Sequence, residues 1–222
     1  MMAVNLVVVN DPASPAAEAY RRLRVNLMSA GGDAPLHALL VAAAGPDPDK
    51  AGTVANLAVA FANVGKRVIL VDCDLRHPAM HTLWGLANNA GVTTVLNGAD
   101  GTTLPLHATE IPNLRVLTSG PAVQVPSDSI ASPAMAGLIG RLLQEADIVL
   151  FDAPPVLLAT DAAELATQVD GVLLTVSAGR TKRDDAQEAV HLLHRVGARL
   201  VGTALVNLPV NTDQRKYLAA TS

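Results

Sequence analysis

Short apolar runs alternate with stretches of helical period along the whole 222-residue chain, and few folds accommodate that alternation. Runs at Leu36–Ala44, Arg67–Asp72, Leu114–Thr118, Ile148–Asp152, Val172–Ser177 and Leu200–Asn207 read as strands. Several are unbroken Val, Ile and Leu, the pattern of strands covered on both faces. Between them, helices are predicted at Pro15–Ser29, Ala51–Val64, Pro133–Glu145, Asp161–Thr167 and Lys182–Val196. Ser14 ahead of Pro15 has the residue types of an N-cap and a first helical position. Gly85–Pro112, rich in Gly, Asn and Thr, predicts one short helix amid long surface loops. The expected fold class is α/β: a doubly wound, mostly parallel sheet with helices on both faces, in one domain over residues 1–222.

Composition removes several classes of function. At 50% hydrophobic and 16% charged residues the chain has ample material for a core, which excludes wholesale disorder. The rings are few: Phe61, Phe151, Trp84, Tyr20 and Tyr217. So small a set argues against reading single strands by base stacking. A net charge of −4 argues against a duplex surface, so no nucleic-acid partner is expected. The single Cys73 makes neither an internal disulfide nor a multi-thiolate zinc site, and fits a reducing cytosol. Leu36–Gly45 is too short to span a bilayer, which takes about 20 residues. Asp11 and Pro12 close the Val4–Val9 run before it makes a signal peptide. A cytoplasmic protein with no membrane span of its own is expected.

Three segments carry chemistry. The first is residues 11–24, Asp-Pro-Ala-Ser-Pro-Ala-Ala-Glu-Ala-Tyr-Arg-Arg-Leu-Arg. The second runs from Ala55 through Val-Ile-Leu-Val-Asp72-Cys-Asp74-Leu-Arg to His77 and Pro78. The third is Asp147-Ile-Val-Leu-Phe-Asp152-Ala-Pro-Pro155. Together, and in this order over nearly the whole chain, they resemble the cytoplasmic domain of the bacterial tyrosine kinases (BY-kinases) of capsule and exopolysaccharide assembly. The resemblance implies a P-loop NTPase-like fold. In such a fold, backbone amides of a glycine-rich loop wrap phosphates at a helix N-terminus, a lysine reaches the outer phosphates and a hydroxyl binds Mg²⁺.

The loop itself departs from that pattern. It reads Gly45-Pro-Asp-Pro-Asp-Lys-Ala-Gly-Thr53. Lys50 and Thr53 remain as candidate nucleotide-binding residues. Asp47 and Asp49 stand where the resembled family has loop glycines, Ala51 replaces the metal-binding hydroxyl and Gly52 the next threonine. A non-glycine residue held at positive φ costs roughly 1–2 kcal/mol. A carboxylate about 5 Å from a phosphate charge is repelled by roughly 3 kcal/mol at an effective dielectric near 20. Losing the hydroxyl removes an Mg²⁺ ligand. Together these terms remove several kcal/mol, or a few orders of magnitude in affinity. No high-affinity cofactor is therefore expected, and Lys50 is expected to pair with Asp47 or Asp49 instead.

Other parts of the resembled site are kept. Asp72, Asp74 and Asp152 end strands where such sheets place ligands. They are either remnants of a catalytic and Mg²⁺ set (with Asp72 and Asp152 on the metal side) or scaffold acids capping turns. Asn207 falls where the family contacts the base. Glu18, Arg21 and Arg24, spaced E-x-x-R-x-x-R, share one helical face. The resemblance makes residues 1–35 a contact segment that joins subunits in a ring; the plain alternative is a solvated charged face. The family's tail carries a tyrosine cluster phosphorylated by neighbouring subunits, whereas residues 208–222 hold Tyr217 alone, as possible phosphoacceptor or as an ordinary tail residue.

The remaining candidates carry less. His77 and His81 lack a carboxylate to complete a metal triad, so no metal site is expected. His191 and His194 read as surface residues, and Cys73 as a small buried thiol. Arg180, Lys182 and Arg183 read as a solvated basic turn. The first functional expectation is therefore a catalytically degenerate BY-kinase-like subunit. It would form homo- or hetero-oligomers with BY-kinase-like subunits and dock on a membrane polysaccharide chain-length regulator that recruits it to the inner face of the membrane. The alternative is an active ATP-dependent tyrosine autokinase, or a nucleotide sensor without hydrolysis, binding Mg·ATP or Mg·ADP.

Overall fold

A computed structural model of the chain describes residues 5–32, 34–98 and 103–208. In chain order the elements are α1 (Val7–Asn10), α2 (Pro15–Ala30), β1 (Ala38–Ala43), α3 (Lys50–Ala62), β2 (Val68–Asp72), α4 (Met80–Trp84), α5 (Val92–Leu96) and β3 (His107–Ala108). They continue as β4 (Leu114–Leu117), α6 (Pro126–Ala131), α7 (Pro133–Glu145), β5 (Ile148–Asp152), α8 (Asp161–Ala166), β6 (Gly171–Ser177), α9 (Arg183–Arg195) and β7 (Leu200–Val206). The strands form one seven-stranded sheet in the order β3-β4-β2-β5-β1-β6-β7. All pairings are parallel except β3 with β4. This is the expected doubly wound α/β sheet.

Period-two geometry splits each apolar run between two cores. Leu40, Ile69, Val71, Val149 and Phe151 face the layer that holds α7, α8 and α9. Leu39, Val41, Leu70 and Leu150 face α3 and α2. Every residue of β1, β2 and β5 is buried, which is why their sequences read as continuous rather than alternating hydrophobics. α3 is nearly all small and apolar from Val54 to Ala62 and lies flat against the sheet, with α2 packed outside it.

Expected and observed elements agree closely in the central strands and long helices. Ser14 is the N-cap of α2, its side chain accepting the Ala17 amide at 3.2 Å. The short helices α1, α4 and α6 and the two-residue strand β3 were not expected from the sequence. Each is too short for its apolar spacing to stand out. α1 is held from outside itself: the Val8 amide donates to Asn56 Oδ1 on α3, 3.0 Å.

Candidate nucleotide site

The carboxyl ends of β1, β2 and β5 gather the acids. Asp72 and Asp152 lie side by side in register, and Asp74 follows two residues beyond the strand end. The loop from β1 to α3, residues 44–49, passes above them, and Lys50 opens α3. An open cleft of about 620 Å³ lies over this loop, bordered by Tyr20, Asp49, Thr53, Ala79, Leu83 and Asn207.

Lys50 does not pair with Asp47 or Asp49, as its sequence neighbourhood suggested. Its buried ammonium turns inward and donates to Asp152 Oδ1, to the Ala153 carbonyl, and to Asp74 Oδ2 at 3.4 Å. The reason is topological: β5 runs beside β1, so a carboxylate 102 residues away ends directly under the first turn of α3. Burial opposes the Lys50 charge, but the Asp152 and Asp74 carboxylates outweigh it and hold the ammonium above its ordinary pKa.

The acids answer in kind. Asp72 Oδ2 accepts the amides of Ala79 and Met80 at 3.0 and 2.9 Å. Burial, then the Asp152 charge, still pushes its carboxyl up to about 7. Burial likewise raises Asp152, against the pull of Lys50. Asp74 Oδ1 accepts the His77 amide at 3.0 Å. Asp72 Oδ1 and Asp152 Oδ2 in the cluster, and Asp47 Oδ2 in the loop above it, are buried with no hydrogen-bond partner among the described residues. Cys73, between the two strand-end acids, is 1% exposed, and burial followed by the Asp72 charge drives its thiol far up.

The loop is shaped by its aspartates without strain. Asp49 sits at φ −93°, and the non-glycine residues at positive φ among those described are Asn113 and Asn207. The steric cost expected for Asp47 and Asp49 is therefore not incurred, because the loop has taken a conformation that does not need glycine. Asp47 Oδ1 accepts the Asp49 amide at 3.0 Å, and the Asp47 carbonyl accepts the Lys50 amide at 3.3 Å. Asp49 Oδ2 accepts from Arg180 at 2.7 Å and from Asn207 Nδ2 at 3.1 Å. Arg180, expected to be part of a solvated turn, is thus an ion-pair partner of the loop, though still half-exposed.

The helix α2 joins the site through Tyr20, which borders the cleft with Thr53; burial first, then the Asp47 and Asp49 charges, raise its phenol. On the same helix Arg21 pairs with Glu18 at 2.7 Å and donates to the Pro12 carbonyl. Arg24 reaches the Ala60 carbonyl of α3 at 3.3 Å. Three residues whose place at the site the sequence does not announce complete the picture: Arg180, Tyr20, and buried Asp161, which holds Arg76 through two 3.0 Å bonds. Arg76 stands two residues after Asp74 in the second of the three segments, and that nearness is the available signal. His191 and His194 are exposed as expected. Tyr217 lies outside the described residues.

The chain is 35% identical to tyrosine-protein kinase YwqD of Bacillus subtilis over 201 residues, 90% of this chain and 85% of that protein. It belongs to the bacterial tyrosine kinase family. The structure of the chimerical protein CapA2B2 superposes with a TM-score of 0.88 at 33% identity, covering 95% of this chain and 92% of that one. The kinase domain of Escherichia coli tyrosine kinase ETK gives 0.90 at 26% identity, covering 96% and 83%. Other relatives are much longer: the chain spans 28% of tyrosine-protein kinase wzc of Salmonella typhimurium, at 29% identity over 200 residues. No family model matches the chain. The P-loop NTPase-like fold expected from the resemblance is thus the fold of this family member. No helix among the described residues is long and apolar enough to cross a membrane.

Proposed function

We propose that this chain is a BY-kinase-like subunit of capsule or exopolysaccharide assembly that has kept the family's fold and given up phosphoryl transfer. It acts by binding: through α2, with Glu18, Arg21 and Arg24, to copies of itself or to kinase-active relatives, and by docking on a membrane chain-length regulator. That docking recruits it to the inner face of the membrane.

One observation carries this reading. Groups that handle a nucleotide in a P-loop fold are satisfied here by the chain's own oxygens: on the phosphate side Lys50 by Asp152, Asp74 and Ala153 and the Asp49 amide by Asp47, and on the base side Asn207 by Asp49 and Ser177. Ala51 adds no hydroxyl for Mg²⁺. The unpartnered oxygens of Asp72 and Asp152 are where a metal ion would be faced. As arranged, though, the loop and Lys50 do not fit a magnesium nucleotide. Calorimetric titration with Mg·ATP is expected to show binding no tighter than about 1 mM; micromolar binding with turnover would overturn the reading.

A second reading, the active autokinase, draws on the survival of Lys50, Asp72, Asp74 and Asp152 in one cluster. Incubation with labelled ATP separates the two. Label on Tyr217 supports the autokinase, and its absence even in the presence of the membrane regulator supports the binding subunit.

A further inference from the structure

Asp49 does more than fill a glycine position. It is the N-cap residue of α3, yet its side chain makes no capping hydrogen bond. Instead the carboxylate, at the border of the cleft, accepts from donors 131 and 158 residues away. Those donors are themselves positioned. Asn207, at φ 60° just past β7, also donates to Ser177 Oγ at 2.8 Å. Arg180 follows Gly179, at φ 74°, in the turn after β6, and its amide donates to the Ser177 carbonyl at 3.1 Å. That turn is fixed further by the Ser177 amide, which donates to Thr181 Oγ1 at 2.9 Å. One carboxylate thus ties the phosphate loop to residues just past the ends of two strands, β6 and β7.

Resting on the reading that the resting loop holds no nucleotide, we propose that Asp49, Arg180 and Asn207 form a latch that excludes phosphate-bearing ligands. The Asp49 carboxylate takes the donors such a ligand would use. A phosphate settling at the N-terminus of the 13-residue α3 would meet the Asp49 charge, and would find Arg180 and Asn207 already engaged. The ion pair is half-exposed on both sides, with 53% and 50% of the side-chain surface open. Pairs of that kind exchange readily and are weak, so the contact is a latch that a competing anion or a substitution can open.

The test uses the full chain, with Mg·ADP and inorganic pyrophosphate as probes and four proteins: wild type, Asp49→Ala, Arg180→Ala and the double variant. Asp49 makes no cap bond, so removing it leaves α3 intact, which thermal melting verifies. Asp49→Ala is expected to raise affinity for both probes at least tenfold while Arg180 is present, and threefold or less in the Arg180→Ala background. Equal gains in both backgrounds would mean simple charge repulsion and overturn the latch, as would no gain in either. Without ligand, amide hydrogen exchange over residues 177–181 is expected to quicken in both single variants; unchanged exchange also overturns it. If the wild type turns over Mg·ATP, the binding-subunit reading fails, while the ratio of variant to wild-type affinity still judges the latch.

Discussion

The two ends of the central strands use the same residue type to opposite effect. At the amino ends, Asp170 Oδ2 accepts the amides of His37 and Ala38 at 2.8 and 2.7 Å. Asp147 there accepts the Arg67 amide at 2.8 Å and holds the Arg67 guanidinium at 2.8 and 3.2 Å. The hydrogen bonds from Arg67 draw the Asp147 carboxyl below its ordinary range. At the carboxyl ends, Asp72 and Asp152 are buried side by side around one lysine, and burial raises both. The first set are half-wet fasteners, each carboxylate supplied with two or three donors. The second is a crowded cluster, three carboxylates to one ammonium, with oxygens left unpartnered. A fold gains nothing by burying charge in that ratio, so the carboxyl-end cluster is the mark of a site, and the amino-end acids are the mark of a scaffold.

That contrast breaks first at Lys50. Lys50→Met leaves Asp74 and Asp152 buried without their cation, and is expected to cost about 3–5 kcal/mol at pH 7, read as the urea midpoint. The loss should shrink as pH is lowered and Asp152, whose carboxyl burial already raises, takes up a proton; a loss under about 1 kcal/mol at pH 7 would mean that the ammonium is not held as described. Asp72 sharpens the comparison with a smaller effect. Its folded carboxyl titrates at about 7 against roughly 3.9 in the unfolded chain. Between those values the folded state keeps a proton that the unfolded state has lost, so stability falls as pH rises from about 4 to 7. Asp72→Asn should remove that slope and leave the variant more stable than wild type by roughly 2 kcal/mol at pH 8. An unchanged slope would assign the titration elsewhere.

The smallest effect belongs to the amino end, and its sign is reversed. Asp147 has a depressed carboxyl, so its contribution is present at neutral pH and disappears as pH falls through the folded value. Asp147→Asn should lower the melting temperature slightly at pH 7 and leave it unchanged in strong acid. A larger effect in acid than at neutrality would contradict the pairing with Arg67.

The sheet was legible because burial on both faces writes itself into sequence as unbroken runs such as Val68-Ile-Leu-Val and Ile148-Val-Leu-Phe. The acids at the strand ends were legible for the same reason, since each run stops at its aspartate. The pairing of Lys50 was not. Proximity in sequence offered Asp47 and Asp49, while the true partner depends on β5 lying beside β1, a fact of strand order that no local pattern contains. The loop conformation was misjudged for a related reason. Glycine's absence alone predicts strain, whereas Asp47 accepts the backbone amide two residues on and settles the chain into another turn. Arg180 looked like one of three interchangeable basic residues until the ends of β6 and β7 placed it opposite Asp49.

Cys73 gives this cluster a reporter of its own. It is the chain's one thiol, and it sits at the carboxyl end of β2 with its sulfur shielded from solvent and strongly disfavoured from ionising. A thiol-specific reagent can reach it only when the end of that strand opens, and it meets no competing thiol anywhere else. The labelling rate of the unmodified protein is therefore a clock for opening at the heart of the site. Any ligand or partner that steadies the carboxyl edge of the sheet will slow it.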